Sequence, residues 1–332
     1  MLDSVSPRGN AEVRYAIGID RGASNVRLGL VRSDGAVLKL MKEWDPVRSL
    51  DELSVITQRV TEMLSRFMAF PDMQAVPLDG VGVVVAGNIN RQGEMIGHVG
   101  PRGMPWQVIP IREIVQHTVG ADVVVRVDND SKGAAWGEYL YGAGRGTRNM
   151  VCLTVGTGVG GGLVMDGKLV HGAEGLAGLA GLLSVDMHGA RCPSGAMGCL
   201  EYYASGSGIA RSARQALLEG RASALSAEAG GDIDAVTSEM VFAAARRGDE
   251  LALATVQEAA YAMGIAICTL QHLLNPEVVV IGGGVAAQGD LFLEPVRRTA
   301  SEHSIPHYVV PIKAAELGNV AGVVGAAALC WQ

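Results

Sequence analysis

The chain has 332 residues, is 48% hydrophobic and 18% charged, and carries a formal net charge of -7. That is enough apolar sequence to bury the cores of two ordinary domains, and it excludes a largely disordered chain. The acidic excess, without a basic cluster, argues against nucleic acid and anionic membranes as partners, although backbone amides can still bind phosphate locally.

Residues 1–13 are polar and are expected to fray, and they lack the apolar stretch of a signal peptide. "YAIGID" (15–20) then predicts a buried strand and "RGAS" a turn. "NVRLGLVRS" predicts a second strand, "DG" at 34–35 a hairpin turn, and "AVLKLMKEW" a third strand. Residues 49–70 predict an amphipathic helix with an acidic first turn. Buried strands are expected at 78–87 and 122–130, and a helix at 131–144 that ends in Gly.

The pattern restarts at residue 150. "MVCLTVGTGVGGGLVMDGKLV" (150–170) again reads strand, Gly-rich turn, strand, DG turn, strand. Reuse of one hairpin at this distance suggests two homologous halves. Helices are expected at 207–220, 236–248 and 249–274, a strand entering a Gly turn at 276–286, and a closing apolar helix at 320–332. No run reads as long enough to span a membrane. The fold class is α/β, with two similar domains and a cleft between them.

The five cysteines are Cys152, Cys192, Cys199, Cys268 and Cys330. Three lie in apolar segments and read as core thiols. The odd count without a framework favours a reducing, cytoplasmic setting.

Four segments carry candidate chemistry. In "IDRGASN" (19–25), the amides of Gly22, Ala23 and Ser24 suit phosphate oxygens, and Asp20 suits Mg²⁺ held through water; an ordinary hairpin turn reads the same way. In "TVGTGVGGG" (154–162), Thr157 between Gly156 and Gly158 suits a second phosphate, or a tight hairpin alone. "VVVIGGGVA" (278–286) places Gly283 and Gly284 at a strand end before a helix, without the spacing of a dinucleotide fold. In "VDNDSKGAAWGE" (127–138), Asp130 stands where a strand meets a helix. A carboxylate there can take the proton of an attacking hydroxyl, or Asp128 or Asp130 can act as an N-cap.

In this order, the segments resemble the ROK (repressor, open reading frame, kinase) family of sugar kinases, in the actin-like ATPase superfamily, over about residues 14–330. "GIDRGASNVRLGLV" is similar to the family's D-x-G-G-T-[KN] motif, and "NDSKGAAWGE" to its N-D-x-x-A-A-x-G-E motif. "GTGVGGG", "GCLEYYASG" and "LLNPEVVVIGGGVA" also match. The resemblance implies two actin-like (ribonuclease H-like) domains, 14–128 plus 318–332 and 129–317, around an interdomain cleft. It implies an ATP- and Mg²⁺-dependent kinase, commonly dimeric, with Asp130 as catalytic base. Asn129, Glu201, Gly87 and Asn88 fall on the sugar side. Asp20, Gly22, Ala23, Ser24, Asn25, Gly156, Thr157, Gly158, Gly283 and Gly284 fall on the nucleotide side. The winged helix that precedes the family's repressors is not expected here.

The chain departs from the family between 172 and 201. The usual G-x-x-G-x-A-G-E-x-G-H reads "GAEGLAGLAGLL", so Leu179 replaces the Glu and Leu182 the His. Ser194 replaces the middle Cys of the next motif, leaving Cys192 and Cys199 as the remnant of a zinc site. No structural zinc is expected, although His188 offers a substitute ligand at a position that does not match. Apolar packing of Leu176, Leu179, Leu182 and Leu183 is expected to hold the loop instead. The lost Glu and His also touch sugar hydroxyls in the family. A cyclitol (such as a C7-cyclitol), an amino sugar or a deoxy sugar is therefore the expected acceptor, phosphorylated on a primary hydroxyl. An ordinary glucokinase and a silent sugar sensor are the alternatives. The resemblance also sets Arg102 near where family members place a sugar-contacting Asn, although an Arg there reads equally as a surface residue.

Overall fold

The computed structural model describes residues 13–22, 25–44, 53–98, 106–192 and 194–332. Its frame is one sheet built twice. Strands β1 (Tyr15–Arg21), β2 (Asn25–Arg32) and β3 (Val37–Trp44) form an antiparallel meander. Helix α1 (Leu53–Met68) follows, and the acidic residues expected to open it lie outside the described residues. β4 (Leu78–Val85) returns parallel to β1. β5 (Asn88–Ile89), β6 (Met95–His98) and β7 (Trp106–Ile109) form a small separate sheet, and α2 (Ile111–Val119) precedes β8 (Val124–Asn129), which pairs parallel with β4. The order is β3-β2-β1-β4-β8.

After α3 (Asp130–Tyr141), β9 (Met150–Val155), β10 (Val159–Met165) and β11 (Lys168–Leu169) repeat the meander. A helical block follows: α4 (Leu200–Ala204), α5 (Gly206–Leu218), α6 (Leu225–Glu228), α7 (Ser238–Arg246) and α8 (Glu250–Leu274). Then come β12 (Val278–Gly282), α9 (Asp290–His303), β13 (Ile312–Ala314) and α10 (Ala321–Ala328). The second sheet has the order β11-β10-β9-β12-β13, with β12 parallel to both β9 and β13. Position for position this is the first sheet again, as the recurring hairpin suggested.

The sequence explains these elements locally. β4, β9 and β12 are almost wholly buried and read as continuous Val-rich runs, as strands covered on both faces must. β3, at an edge, alternates half-buried and exposed. The β10–β11 turn puts Asp166 and Gly167 at φ of 51° and 77°, the twist that Asp-Gly supplies to a two-residue hairpin.

Helix α8 is capped by Asp249, whose carboxylate accepts from Ala252 N, and it ends at Asn275 in the left-handed region ahead of Pro276. The expectation that no run matches a membrane span needs correcting here. Glu250–Leu274 is long and apolar enough by length and composition, but most of it is buried. It is the spine of the larger core, against Phe242, Phe292 and Leu200.

The last helix returns to the first strands. α10 packs on β1, β4 and α3, and α3 in turn packs on β9 and β10. Bare backbone makes the approach possible: a Cβ on Gly18 would lie 1.9 Å from Val323 O, one on Gly82 1.7 Å from Ala326 O, and one on Gly325 1.7 Å from Gly133 O. A third core of Val84, Trp136, Met150, Val280 and Ala326 joins the two sheets across these helices.

Candidate active site

A cavity of about 560 Å³ opens where the two hairpins and the N-termini of α3, α4 and α10 converge. Helix N-termini present unpaired N–H groups and the positive end of the helix dipole, which suits anionic phosphate.

On the first hairpin, Asp20, Gly22 and Arg27 line the cavity. Asp20 is buried, and burial pushes its carboxyl up to about 6; Arg27, 3.2 Å away, pulls it down, and the Asp130 carboxylate pushes it up again. The N-terminal turn of α10 closes this corner so tightly that a Cβ on Gly322 would lie 2.7 Å from Asp20 Cγ. Asn25 does not line the cavity; its carbonyl accepts from Gly22 N at 3.1 Å. Ala23, Ser24 and Arg102 lie outside the described residues.

At the β8–α3 junction the N-cap is Asn129, not Asp128 or Asp130. Asn129 Oδ1 accepts from Ser131 N (2.9 Å) and Lys132 N (3.2 Å), while its Nδ2 donates to Gly87 O (3.0 Å). Asp130 is half-buried, and its Oδ1 accepts from Ser131 N at 2.8 Å. Burial raises its pKa, against the hydrogen bonds from Ser131. Gly87, Asn88, Asn129 and Asp130 all line the cavity. Thr154 donates to Ser131 Oγ at 2.8 Å, tying α3 to β9.

On the second hairpin, Gly156, Thr157 and Gly158 line the cavity beside Glu201, in the first turn of α4. Glu201 Oε2 accepts from Val159 N at 2.9 Å, and a Cβ on Gly158 would lie 2.4 Å from that oxygen. Among the described residues no hydrogen bond reaches Glu201 Oε1. Gly283 lines the cavity with φ of 92°, its place for a Cβ filled by Val155 O at 2.4 Å; Gly284 does not line it.

The divergent loop answers its expectations only in part. Leu176 and Leu179 line the cavity, but Leu182 does not. Leu179 and Leu182 are each 39% exposed, so they do not form the apolar core expected to hold the loop; of the four leucines, Leu183 packs on the large core. Cys192 and Cys199 instead form a disulfide, flanked by bridges pairing Arg191 with Met197 and Ser184 with Cys199. That covalent link departs from the reducing setting read from the cysteine count, whereas Cys152, Cys268 and Cys330 are buried free thiols. Among the described residues no three His, Cys, Asp or Glu side chains gather for a metal, and His188 N bonds Asp186.

Sequence reasoning missed Arg27, Lys132 and the turn before α10, where Gly318 and Asn319 reach the cavity beside Ala321 at the helix start. A lone charge inside the apolar run "NVRLGLV" was the available signal for Arg27, because the strand register sets it opposite Asp20. Nothing local marked the turn before α10.

The profile of the ROK family matches residues 16–332. The chain is 35% identical over 326 residues to a glucokinase of Halalkalibacterium halodurans, covering 96% of each sequence. It is 34% identical over 321 residues to a glucokinase of Streptomyces coelicolor, covering 95% of this chain and 97% of that one. Among solved structures, a ROK family glucokinase from Streptomyces griseus in complex with glucose and AMPPNP superposes with a TM-score of 0.76 at 31% identity, over 95% of this chain and 98% of that one.

Proposed function

The chain belongs to the ROK family and is an ATP-dependent sugar phosphotransferase, and from that premise we propose that its acceptor is a sugar-like cyclitol or another non-glucose sugar. The observation that carries this reading is the pair Leu176 and Leu179 on the cavity wall, beside Asn88, Asn129 and Glu201. A hydroxyl desolvated against leucine without a partner costs about 1–3 kcal/mol. An acceptor with carbon in that place, such as a C7-cyclitol, avoids the penalty, as does a deoxy sugar; an amino sugar changes the group presented there. The reading extends to a role in secondary metabolism for a cyclitol acceptor.

In this reading Asp130 takes the proton from the acceptor's primary hydroxyl as its oxygen attacks the γ-phosphorus, and the bond to the ADP oxygen breaks. Glu201 and Asn129 Nδ2 orient the remaining hydroxyls. Gly22 N and Gly156 N are already spent on Asn25 O and Gly158 O, so the phosphates fall in this reading to Thr157 and to the N-terminus of α10, which line the cavity. Asp20 fits a carboxylate that holds Mg²⁺ through water: it is buried, its pKa is raised, and it stands among bare glycines. When bound, Mg²⁺ neutralises charge on the phosphate oxygens. The proposal extends to domains at 14–128 plus 318–332 and 129–317 that close over the acceptor, to a homodimer, and to a cytoplasmic setting.

A coupled ADP-release assay over a panel of sugars and cyclitols tests the reading. A kcat/KM for a cyclitol, deoxy sugar or amino sugar at least tenfold above that for glucose is expected. The likeness to two glucokinases supports the second reading, and glucose as the best substrate would establish it.

A further inference from the structure

The loop that carries Leu176 and Leu179 has few hydrogen bonds of its own. Within 171–178, Ala177 N donates to His171 O at 3.0 Å. Its turns rest on Gly172 and Gly175, at φ of 75° and 82°. Charged side chains from elsewhere in the chain hold it. Lys132, in the first turn of α3, donates from Nζ to Gly175 O. Lys132 Nζ also lies 3.7 Å from Asp128 Oδ1, and both side chains are almost wholly buried. The other oxygen of Asp128 meets His171 Nε2 at 2.8 Å. Arg91, on the turn between β5 and β6, donates twice to Gly172 O, at 2.9 and 2.6 Å. Space is tight as well: a Cβ on Gly175 would lie 2.4 Å from Ile89 O.

The residues that make this clamp flank the proposed base. Asp128 and Lys132 stand two before and two after Asp130, and Asp128 Oδ1 also accepts from Asn129 N at 2.8 Å. Lys132, Gly175, Leu176 and Ala177 face the same cavity. We propose that Lys132, Asp128 and His171 are positioning residues that lock the acceptor-facing loop to the start of α3, so that the acceptor wall and the base move as one body. Lys132 does not touch the reacting atoms; it fixes the distance between the wall that seats the acceptor and the carboxylate that deprotonates it. A buried lysine held by a carboxylate and a backbone carbonyl suits this task, because removing either partner leaves charge or a carbonyl unpaired.

The inference rests on the acceptor reading only for what the loop seats, so its first test needs no acceptor. Hydrogen–deuterium exchange on the free full-length protein is expected to be at least tenfold faster across residues 171–177 in Lys132→Met than in the wild type, with α8 unchanged. His171→Ala, at a half-exposed side chain that does not threaten folding, is expected to move the same amides in the same direction. Lys132→Arg is expected to restore protection to within threefold. The second test is steady-state kinetics with D-glucose and D-glucosamine. Lys132→Met should lower kcat/KM for the acceptor at least tenfold, through kcat as well as acceptor KM because base and acceptor lose their alignment, with the KM for ATP within twofold and the melting temperature kept. Unchanged exchange at 171–177 in both Lys132→Met and His171→Ala overturns the clamp. So does a uniform loss of kcat and of both affinities together with the melting temperature, which would make Lys132 a general structural residue. Absence of turnover by the wild type with every acceptor would overturn the phosphotransfer reading and leave the exchange result to decide the clamp.

Discussion

Arg27 Nη1 lies 3.2 Å from Asp20 Oδ2, directly across the β1–β2 hairpin. Burial nevertheless wins over this pairing, and the Asp20 carboxyl titrates near 6 instead of its ordinary 3.8. Between those two values the folded state holds a proton that the unfolded chain has lost. Stability therefore falls as pH rises through this window, and the cost stands in full above it, at most about 3 kcal/mol. Asp20→Asn should relieve about 1–2 kcal/mol of it at pH 7.5, since Arg27 loses its partner, and almost none at pH 4. The same variant should lose Mg²⁺-dependent turnover. Urea unfolding at the two pH values checks the first expectation and a coupled kinase assay the second.

Asp130 must be ionised to accept a proton, and burial raises its pKa. The acid limb of kcat/KM should therefore lie above the ordinary carboxylate range, and protonation of Asp20 near 6 should add to the loss on the acid side. Asp130→Asn should lower kcat by about 10²–10⁴-fold and leave AMPPNP affinity, read by calorimetry, within twofold. A variant that keeps its rate would remove Asp130 from the mechanism.

Leu179 faces the cavity and Leu182 does not, so the two departures from the family motif are not equivalent. Leu179→Glu should improve kcat/KM for glucose by about tenfold, the worth of one recovered hydrogen bond. Leu182→His alone should change it less than twofold. Equal effects from the two would assign acceptor choice elsewhere.

The Cys192–Cys199 disulfide closes a short loop just before Leu200 and Glu201. A loop of this length gains about 2 kcal/mol from the link in the chain-entropy account. Cys192→Ser, or reduction of the wild type, should lower the melting temperature by a few degrees and raise the acceptor KM through Glu201. The KM for ATP should stay put. Thiol titration before and after reduction verifies the state assayed.

Much of this arrangement was legible before any coordinates. The two Asp-Gly turns and the Val-rich runs announced the duplicated sheets, because turn chemistry and burial are local. The strand-to-helix junction placed Asp130 at the start of α3, where it lines the cavity. Other features rested on contacts that sequence spacing does not encode. Asn129 took the capping role that Asp128 or Asp130 was expected to fill, because its amide both accepts from two backbone N–H groups and donates to Gly87 O. The disulfide was hidden in an odd cysteine count. The leucines of the 175–183 segment suggested a packed core, but Lys132 and Arg91 bond the carbonyls of Gly175 and Gly172, and the covalent link lies further on, between Cys192 and Cys199.

The glycine contacts of α10 have a temporal meaning. Strands β1 and β4 are made early in synthesis, yet the surface that covers Gly18 and Gly82 is Val323 and Ala326, about three hundred and about two hundred and forty residues further on. Until those residues leave the ribosome, the first sheet keeps one apolar face uncovered, while the helical block around α8 can already condense. The half of the protein translated first is thus completed last, and its dependence on holdase chaperones during synthesis should be correspondingly long.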